Sequence, residues 1–284
     1  MDRHVEFLAC DSMGVRSFSF KVETREGLIV VDPGAALGPS RYGLPPHPIE
    51  VSKLEEKLDL IRGKLAEADY VVITHYHYDH FMRGEDVELY QGKTVFLKHP
   101  KKKINRSQAI RSYNLIKRDG LENVANTVYA DSREIKLGGK VKLVFSKPVW
   151  HGEPGTKVGY VVMVLIETED YRIAYTSDVQ GPAYDEPFEI LRGWRPNMLI
   201  LGGPPTYLSG TKVNSSAVEA GIDYMKKLSR MPGLEVLVVD HHLLRELDYE
   251  RHLKGMGVKP VTCAEFNGER VNQLEANRRL LWGK

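Results

Sequence analysis

The sequence predicts an α/β protein in which layers of helix pack on two central β-sheets, with residues 1–284 forming one domain. Three observations favour this class. β-type runs come first, and alternating strand and helix patterns follow them. A chain of 284 residues with 42% apolar content can bury a sizeable core. No repeat, low-complexity tract or interdomain linker interrupts the sequence.

The first third of the sequence predicts three strands, a loop, a helix and a fourth strand. The runs VEFLAC, VRSFSFKVET and GLIVVD are separated by turn residues and predict a β-meander. Residues 33–50 are rich in proline and glycine, which indicates a long surface loop. Residues 51–69 repeat leucine and isoleucine at helical intervals, and the apolar run YVVIT then predicts a buried strand.

Further strands and helices are predicted after residue 139. Residues 140–150, 158–168 and 171–178 have strand patterns. The runs NMLILGG and LEVLVVDHH predict two more strands on either side of a helix at about residues 214–230. Another helix is expected over about residues 243–254.

The composition excludes several classes of protein. No apolar run approaches the roughly 18 to 20 residues that span a bilayer, and no export segment begins the chain, so we expect a cytoplasmic protein without a membrane partner. Cys10 and Cys263 are far apart in the sequence and are expected to be small buried residues rather than a disulfide or a thiolate metal site. The net charge of +2 means that any preference for anions must come from local clusters.

The segment ITHYHYDHF places three histidines and an aspartate directly after the predicted strand YVVIT. Neutral imidazole and carboxylate are ligands that borderline cations such as zinc accept. A strand end followed by a tight turn can aim His75 and His77 to one side, while Asp79 and His80 reach a second point nearby. The HxHxDH spacing therefore predicts a site for two metals rather than unrelated core or loop histidines.

A site for two metals needs further ligands, and other predicted strand ends supply them. His151 and Asp178 each follow a strand pattern, and His241 and His242 end the run LEVLVVDHH. Adjacent strand residues point to opposite sides, so the twin histidines differ in role. We favour His241 as the ligand because it comes first after the strand end, and His242 could contact substrate or donate a proton. Asp240 could orient one of the rings.

In this order, the motifs resemble those of the metallo-β-lactamase-fold hydrolases. That superfamily shows an aspartate after an early strand, then HxHxDH, a lone histidine, an aspartate and a final histidine. Asp32 in IVVDPG matches the first motif, so the resemblance covers residues from 28 to 242. It implies a four-layer αββα sandwich with the site along one edge. More narrowly, the chain resembles an archaeal branch of the superfamily that brings no particular substrate with it.

The resemblance also implies how the ligands divide between two divalent transition metals. Asp32 is expected to support the metal loop through hydrogen bonds rather than to bind metal. Zinc is the default, and iron, manganese or cobalt are alternatives for ligands of this type. One metal would be held by His75, His77 and His151, and the other by Asp79, His80 and the final histidine. Asp178 would bridge the two metals.

The chemistry expected of such a site is hydrolysis. Two cations about 3.5 to 4 Å apart lower the pKa of a bridging water and neutralise a developing oxyanion. The sequence offers no Ser–His or Cys–His nucleophile arrangement, so we expect the bridging hydroxide to attack an ester, lactone, thioester or phosphodiester directly. Asp79 could receive or relay the proton. The sequence therefore predicts a binuclear metal-dependent hydrolase.

The best indication of substrate is a basic stretch, residues 98–118, which has eight lysines or arginines and no acid. It could follow the phosphates of a nucleic acid or nucleotide, or it could be a solvated helix face. The candidate contacts are Lys101, Lys102, Lys103, Arg106 and Arg111.

A second candidate for substrate contact is the segment LGGPPTYLSGT, where Thr206 and Tyr207 could line the pocket or form a plain turn. Tyr76 and Tyr78, the variable positions of HxHxDH, are expected to wall a narrow site.

Three functions remain open from the sequence. The first is a phosphodiesterase acting on nucleic acid or a nucleotide, which the basic stretch favours. The second is a hydrolase of a small lactone, thioester or carboxylic ester. The third, a binding protein with a vestigial site, fits poorly with a complete ligand set. Only 62 residues separate Asp178 from His241, which leaves no room for a large inserted nucleic-acid domain. Nothing in the sequence indicates an oligomeric state.

Overall fold

The computed structural model describes residues 5–284, and its first sheet has six strands in sequential order. They are β1 (Val5–Cys10), β2 (Phe18–Thr24), β3 (Gly27–Val31), β4 (Tyr70–Ile73), β5 (Thr94–Leu97) and β6 (Asn126–Tyr129). β1, β2 and β3 pair antiparallel, and β3 to β6 pair parallel. β1 therefore runs in the same direction as β3, and the carboxyl ends of β1, β3, β4 and β5 meet at one edge.

The second sheet contains seven strands in the order β15-β14-β13-β12-β11-β8-β7. The strands of the remaining chain are β7 (Glu134–Leu137), β8 (Val141–Phe145), β9 (Val149–Trp150), β10 (Tyr160–Val161), β11 (Val164–Glu167), β12 (Arg172–Tyr175), β13 (Met198–Gly202), β14 (Val236–Asp240) and β15 (Pro260–Val261). β12 to β15 are parallel, and β7, β8, β11 and β12 pair antiparallel. β9 and β10 form a separate ribbon.

Eight α-helices and several shorter turns connect these strands within residues 5–284. The helices are α1 (Pro48–Glu67), α2 (Arg106–Tyr113), α3 (Leu121–Val124), α4 (Asp185–Trp194), α5 (Ser215–Leu228), α6 (Glu250–Leu253), α7 (Cys263–Asn267) and α8 (Arg278–Leu281). A π-helical turn, Asn114–Arg118, continues α2, and 3₁₀ turns occur at Asp11–Met13, Gly84–Tyr90, Thr206–Leu208 and His241–Arg245. None of these helices is both long and apolar enough to cross a membrane.

Three apolar clusters separate the four layers. Ile29 and Val31 of β3 enter the cluster between the two sheets, whereas Val30 enters the cluster beneath α1. In β13, Ile200 faces the other sheet, and Leu199 enters the cluster that contains residues of α4 and α5. Successive strand residues point to opposite faces, and both faces of each sheet are buried, which explains the continuous apolar runs. The predicted αββα sandwich is confirmed.

Several element boundaries differ from the sequence prediction. α1 begins at Pro48 rather than at residue 51, because the His47 ring and the Glu50 side chain form a capping box around its first turn. The helix predicted over 243–254 is wrong in extent, since only the short α6 lies in that range. The chain after β14 instead forms a 3₁₀ turn that brings Arg245 inward to Asp11.

Other elements were not predicted at all. The strands β5, β6 and β7 and the helix α4 were all missed. Cys10 and Cys263 are both free and fully buried, as expected. Their sulfur atoms nevertheless lie within 4.8 Å of each other and of a carboxylate oxygen of Asp240.

The C-terminal helix is attached to the start of α1 by a buried ion pair. Arg278 donates from Nε and Nη2 to the two carboxylate oxygens of Glu50, at 2.8 and 2.7 Å. Both side chains are fully buried. Arg278 also donates to the carbonyl oxygen of Leu44 at 3.2 Å. The pair therefore joins the proline-rich loop, α1 and α8.

Replacing Glu50 by alanine should lower the free energy of unfolding by about 3–5 kcal/mol, because Arg278 would remain buried without its counter-charge. Urea denaturation measures this change. Glu55→Ala, at an exposed position of the same helix, is the control and should stay within about 0.5 kcal/mol of the parent protein. Equal effects of the two substitutions would contradict a stabilising role for the pair.

Candidate metal centre

The predicted metal ligands lie at the carboxyl ends of strands from both sheets. Asp32 follows β3, His75 follows β4 and His241 follows β14, while Asp178 comes shortly after β12. The backbone at Asp32, Ser177 and His241 has positive φ angles of 46°, 52° and 64°. Such angles are uncommon in residues other than glycine and occur where the surrounding structure requires them. The strands β3, β12 and β14 therefore each end in a sharp turn at the site.

Five imidazole Nε2 atoms surround the carboxylate of Asp178, which is almost fully buried. From its Oδ2 the distances are 3.0 Å to His151, 3.2 Å to His241, 3.6 Å to His75 and 3.8 Å to His242, and from its Oδ1 the distance is 3.4 Å to His80. The ring of His77 lies against those of His75 and His151, with centroids 4.6 and 4.9 Å away.

The second nitrogen of several rings is held by the protein. His80 Nδ1 lies 2.9 Å from Asp32 Oδ2, and His241 Nδ1 lies 2.8 Å from Asp11 Oδ2. Because an ionised carboxylate only accepts hydrogen bonds, each of these Nδ1 atoms carries a proton, and Nε2 is the nitrogen left to bind a metal. His75 Nδ1 lies 3.3 Å from the hydroxyls of Thr74 and Ser177. Each ring is thus oriented with Nε2 toward Asp178.

The donor atoms fit metal ions. His75 Nε2, His80 Nε2, His151 Nε2 and Asp178 Oδ1 are buried and have no hydrogen-bond partner within residues 5–284. Buried lone pairs without partners are costly, and a divalent cation would satisfy them. Ligand atoms within 4.8 Å of one another include one set of His75, His77, His151 and Asp178 and another of Asp79, His80 and His241. Overlapping sets are Asp178, His241 and His242, and Asp32, His75 and His80.

Asp32 supports this arrangement from behind. Its carboxylate accepts hydrogen bonds from Thr74 N at 2.8 Å, Thr74 Oγ1 at 2.6 Å and Tyr175 OH at 2.8 Å, in addition to His80. It therefore joins the end of β4 to the ring of His80. This placement agrees with the supporting role expected from the sequence.

Asp11 is a site residue that the sequence analysis missed. Its carboxylate holds His241 Nδ1 and also accepts from Arg245 Nε at 2.7 Å. Asp11 directly follows β1, so the rule that found the other strand-end residues would have found it too. Asp240 does not orient a ring. It accepts instead from the backbone nitrogens of His241, Ser12 and Cys263 at 2.7, 3.1 and 2.9 Å, because its side chain caps the turn after β14.

The electrostatics separate the histidines into two groups. Burial lowers the pKa of His77 to about 3, and burial together with the neighbouring His80 lowers the pKa of His75 well below its ordinary value. Burial also opposes protonation of His241, but Asp178 and Asp11 outweigh it and raise its pKa to about 9.

The pKa of Asp178 also results from a balance between burial and the charges of neighbouring groups. Burial would raise it, but the surrounding imidazoles, His241 and His80 first, lower it well below its ordinary value. The carboxylates of the centre therefore attract positive charge. A metal cation would compete with protons for this place, so its affinity should fall as the pH falls.

A cleft of about 590 Å³ opens onto the centre. Its floor contains His77, Asp79, His151, Asp178 and His242, and its walls include Arg16, Tyr78, Arg111, Tyr207, Lys212 and Arg245. Of the predicted substrate contacts, Arg111 and Tyr207 line this cleft.

Other predicted contacts lie elsewhere. Thr206 is not among the residues that line the cleft, and neither are Arg106 and the three lysines at 101–103, all four of which are exposed. Tyr76 does not wall the site, because its ring is buried in the core and its hydroxyl donates to the Lys98 carbonyl at 2.5 Å.

Three cations of the basic stretch have acidic partners from beyond it. Lys98 is buried 3.6 Å from Asp131, and Lys117 and Arg118 pair with Glu122 and Asp119. The structure gives no carboxylate partner, among residues 5–284, to the remaining five: Lys101, Lys102, Lys103, Arg106 and Arg111.

Comparison with known proteins agrees with this fold and site. A family model described as the metallo-β-lactamase superfamily matches residues 14–216, more than half of the chain. The UPF0282 protein of Aeropyrum pernix is 46% identical, with 98% of each chain covered. Asp11 and His241 lie outside the range that the family model matches.

Two solved structures show the same fold. YhfI from Bacillus subtilis, a metallo-β-lactamase fold protein, has a TM-score of 0.53 at 14% identity, covering 91% of this chain and 94% of the other. Isothiocyanate hydrolase from Delia radicum gut bacteria has a TM-score of 0.53 at 15% identity, covering 87% and 94%. The chain therefore belongs to the metallo-β-lactamase superfamily, whose fold is that of metal-dependent hydrolases, and within it to the archaeal UPF0282 proteins.

Proposed function

We propose that the protein is a binuclear metal-dependent hydrolase that cleaves a phosphodiester in a substrate of nucleotide size. The observation that carries this proposal is the convergence of five imidazole Nε2 atoms on Asp178, at 3.0–3.8 Å. Five nitrogens and a carboxylate in one buried place are a costly arrangement for a structural core and a suitable one for two cations.

The ligand sets assign a role to each residue. One metal would be held by His75, His77 and His151 and the other by Asp79, His80 and His241, with Asp178 between them. Zinc is the default, and iron and manganese are alternatives for such ligands. When bound, the metals supply a water of lowered pKa and a Lewis acid for the attacked group.

Two residues on the cleft floor are suited to contact the reacting group. The side chain of Asp79 is 18% exposed and can accept a proton from the attacking water. Burial and the neighbouring His241 lower the pKa of His242 well below its ordinary value, so its ring is neutral at pH 7 and can donate a hydrogen bond. His242 lines the cleft, which places its ring within reach of a bound substrate.

The walls of the cleft favour an anionic substrate. Arg16 and Arg245 are neutralised by Glu275 and Asp11. Arg111 and Lys212 also line the cleft, and neither has a carboxylate partner in the described part of the chain. A cleft of about 590 Å³ is within the range of small-molecule sites, about 300–1,000 Å³. Its size and charge therefore suit a nucleotide better than a polynucleotide strand.

The first test is metal content. The purified protein loaded with Zn²⁺ should hold about two metals per chain, and Asp178→Ala should hold at most one, because this carboxylate faces nitrogens of both ligand sets. Elemental analysis by mass spectrometry measures this. Asp170→Ala removes an exposed aspartate and should leave the content unchanged. Full occupancy in Asp178→Ala would place the bridge elsewhere.

The twin histidines should respond differently to substitution. His241→Ala should lower the metal content, because Asp11 fixes this ring with Nε2 toward Asp178. His242→Ala should keep both metals and lower kcat/KM by about 10-fold to 100-fold, the effect of one lost hydrogen bond to a charged group. Metal analysis and steady-state kinetics on each variant distinguish the two. The reverse pattern would exchange the roles.

A parallel assay tests the substrate class. The metal-loaded protein should hydrolyse an activated phosphodiester and nucleotide diesters, with little effect of substituting Lys101, Lys102 and Lys103 together by alanine. Activity on single-stranded RNA or DNA that falls steeply with salt and is lost in the triple variant would favour a nuclease instead. Efficient cleavage of lactones or thioesters, without phosphodiester cleavage, would favour the carboxylic-ester hydrolase.

A further inference from the structure

Two arginines, Arg83 and Arg111, lie against the ring of Tyr78, and Tyr78 and Arg111 line the cleft. The guanidinium carbon of Arg83 is 3.9 Å from the centroid of the Tyr78 ring, and that of Arg111 is 4.5 Å away. Neither arginine has a carboxylate partner within residues 5–284. The ring stabilises each cation by about 0.5–1 kcal/mol at an exposed site, but it does not remove the repulsion between two like charges. The arrangement therefore concentrates uncompensated positive charge at one point.

The metal loop fixes the position of this charge. Tyr78 stands between His77 and Asp79 in the HxHxDH motif and packs on Phe81, with ring centroids 5.9 Å apart. Its ring is therefore attached to the same short segment that carries four of the candidate ligands of the metal centre. A group bound by Arg111 would lie in the same cleft as the candidate metal ligands.

Arg111 is oriented toward the cleft. Its side chain lines the cleft together with Tyr78, and its Nη1 donates to the carbonyl oxygen of Tyr76 at 3.4 Å. Nε and Nη2 of Arg111 make no hydrogen bond to the described residues, which leaves two parallel donors for a ligand. A planar guanidinium with two free donors matches a phosphate in a bidentate manner.

We propose that Arg83 and Arg111, mounted on Tyr78, bind a second phosphate group of the substrate, one that is not hydrolysed. This inference rests on the proposed function and specifies its substrate class as a nucleotide diester that also carries a terminal phosphate. A terminal phosphate bears close to two negative charges at neutral pH, which matches two guanidinium groups without acidic partners. A diester at this position would supply only one charge.

Two esters that differ only in this group test the proposal. Thymidine 3′-phosphate 5′-(p-nitrophenyl phosphate) carries the second phosphate, and thymidine 5′-(p-nitrophenyl phosphate) lacks it. The metal-loaded parent protein should have a kcat/KM about 10-fold to 100-fold higher for the first ester, mostly through KM. Arg83→Ala should remove most of this difference and leave kcat/KM for the second ester within about threefold. Arg111→Ala also changes the wall of the cleft, so it should lower kcat/KM for both esters, but by about 10-fold more for the first than for the second. Equal losses on both esters, or no loss on either, would overturn the proposal.

Controls separate this subsite from stability and from the proposed reaction. Arg133→Ala removes an exposed arginine outside the cleft and should change neither ester. Arg83 is itself exposed, so its substitution keeps the test valid if Arg111→Ala proves unstable. If the parent protein cleaves neither ester, the proposed function fails. Calorimetry with thymidine 3′,5′-bisphosphate then tests the subsite alone, and binding of equal strength by parent and Arg83→Ala proteins would exclude it.

Discussion

One buried carboxylate, Asp178, organises the rest of this structure. It is almost fully buried, and the five imidazole nitrogens that surround it come from three separate segments of the chain. A charge in such a place must be compensated, so every ring has to be held at a fixed angle and distance. The αββα sandwich meets this requirement because the parallel strands of both sheets deliver their carboxyl ends to one edge.

Three further carboxylates hold the parts of the site in place. Asp32 fixes the end of β4 and the ring of His80, and Asp11 fixes the ring of His241. Asp240 fixes the backbone turn in which His241 begins. None of these three carboxylates lines the cleft. Their role is therefore to orient other groups, some of which line the cleft and some of which lie behind it. The rigidity of the centre therefore depends on residues that the substrate does not reach.

Much of the fold and the main site residues could be predicted from local sequence. Long apolar runs predicted the buried strands, and four potential ligands within six positions predicted the centre at His75 to His80. What local sequence could not supply were contacts between distant segments. Asp11 and His241 are 230 positions apart, and only the direction of β1 in the sheet brings them together. The acids that neutralise Lys117 and Arg118 lie just beyond the basic stretch. The sequence of the stretch alone therefore indicated more uncompensated positive charge than the structure has.

The bond between Asp11 and His241 also has a consequence for the biosynthesis of the protein. The first strand leaves the ribosome early, whereas His241 and Arg245 follow more than two hundred residues later. During that interval β1 can pair with β2 and β2 with β3, but the ring that Asp11 positions does not yet exist. Because domains assemble as units and metal affinity requires correctly oriented ligands, a nascent or truncated chain would hold an incomplete centre. Full metal loading would thus require Asp11 and His241 to have reached their final positions.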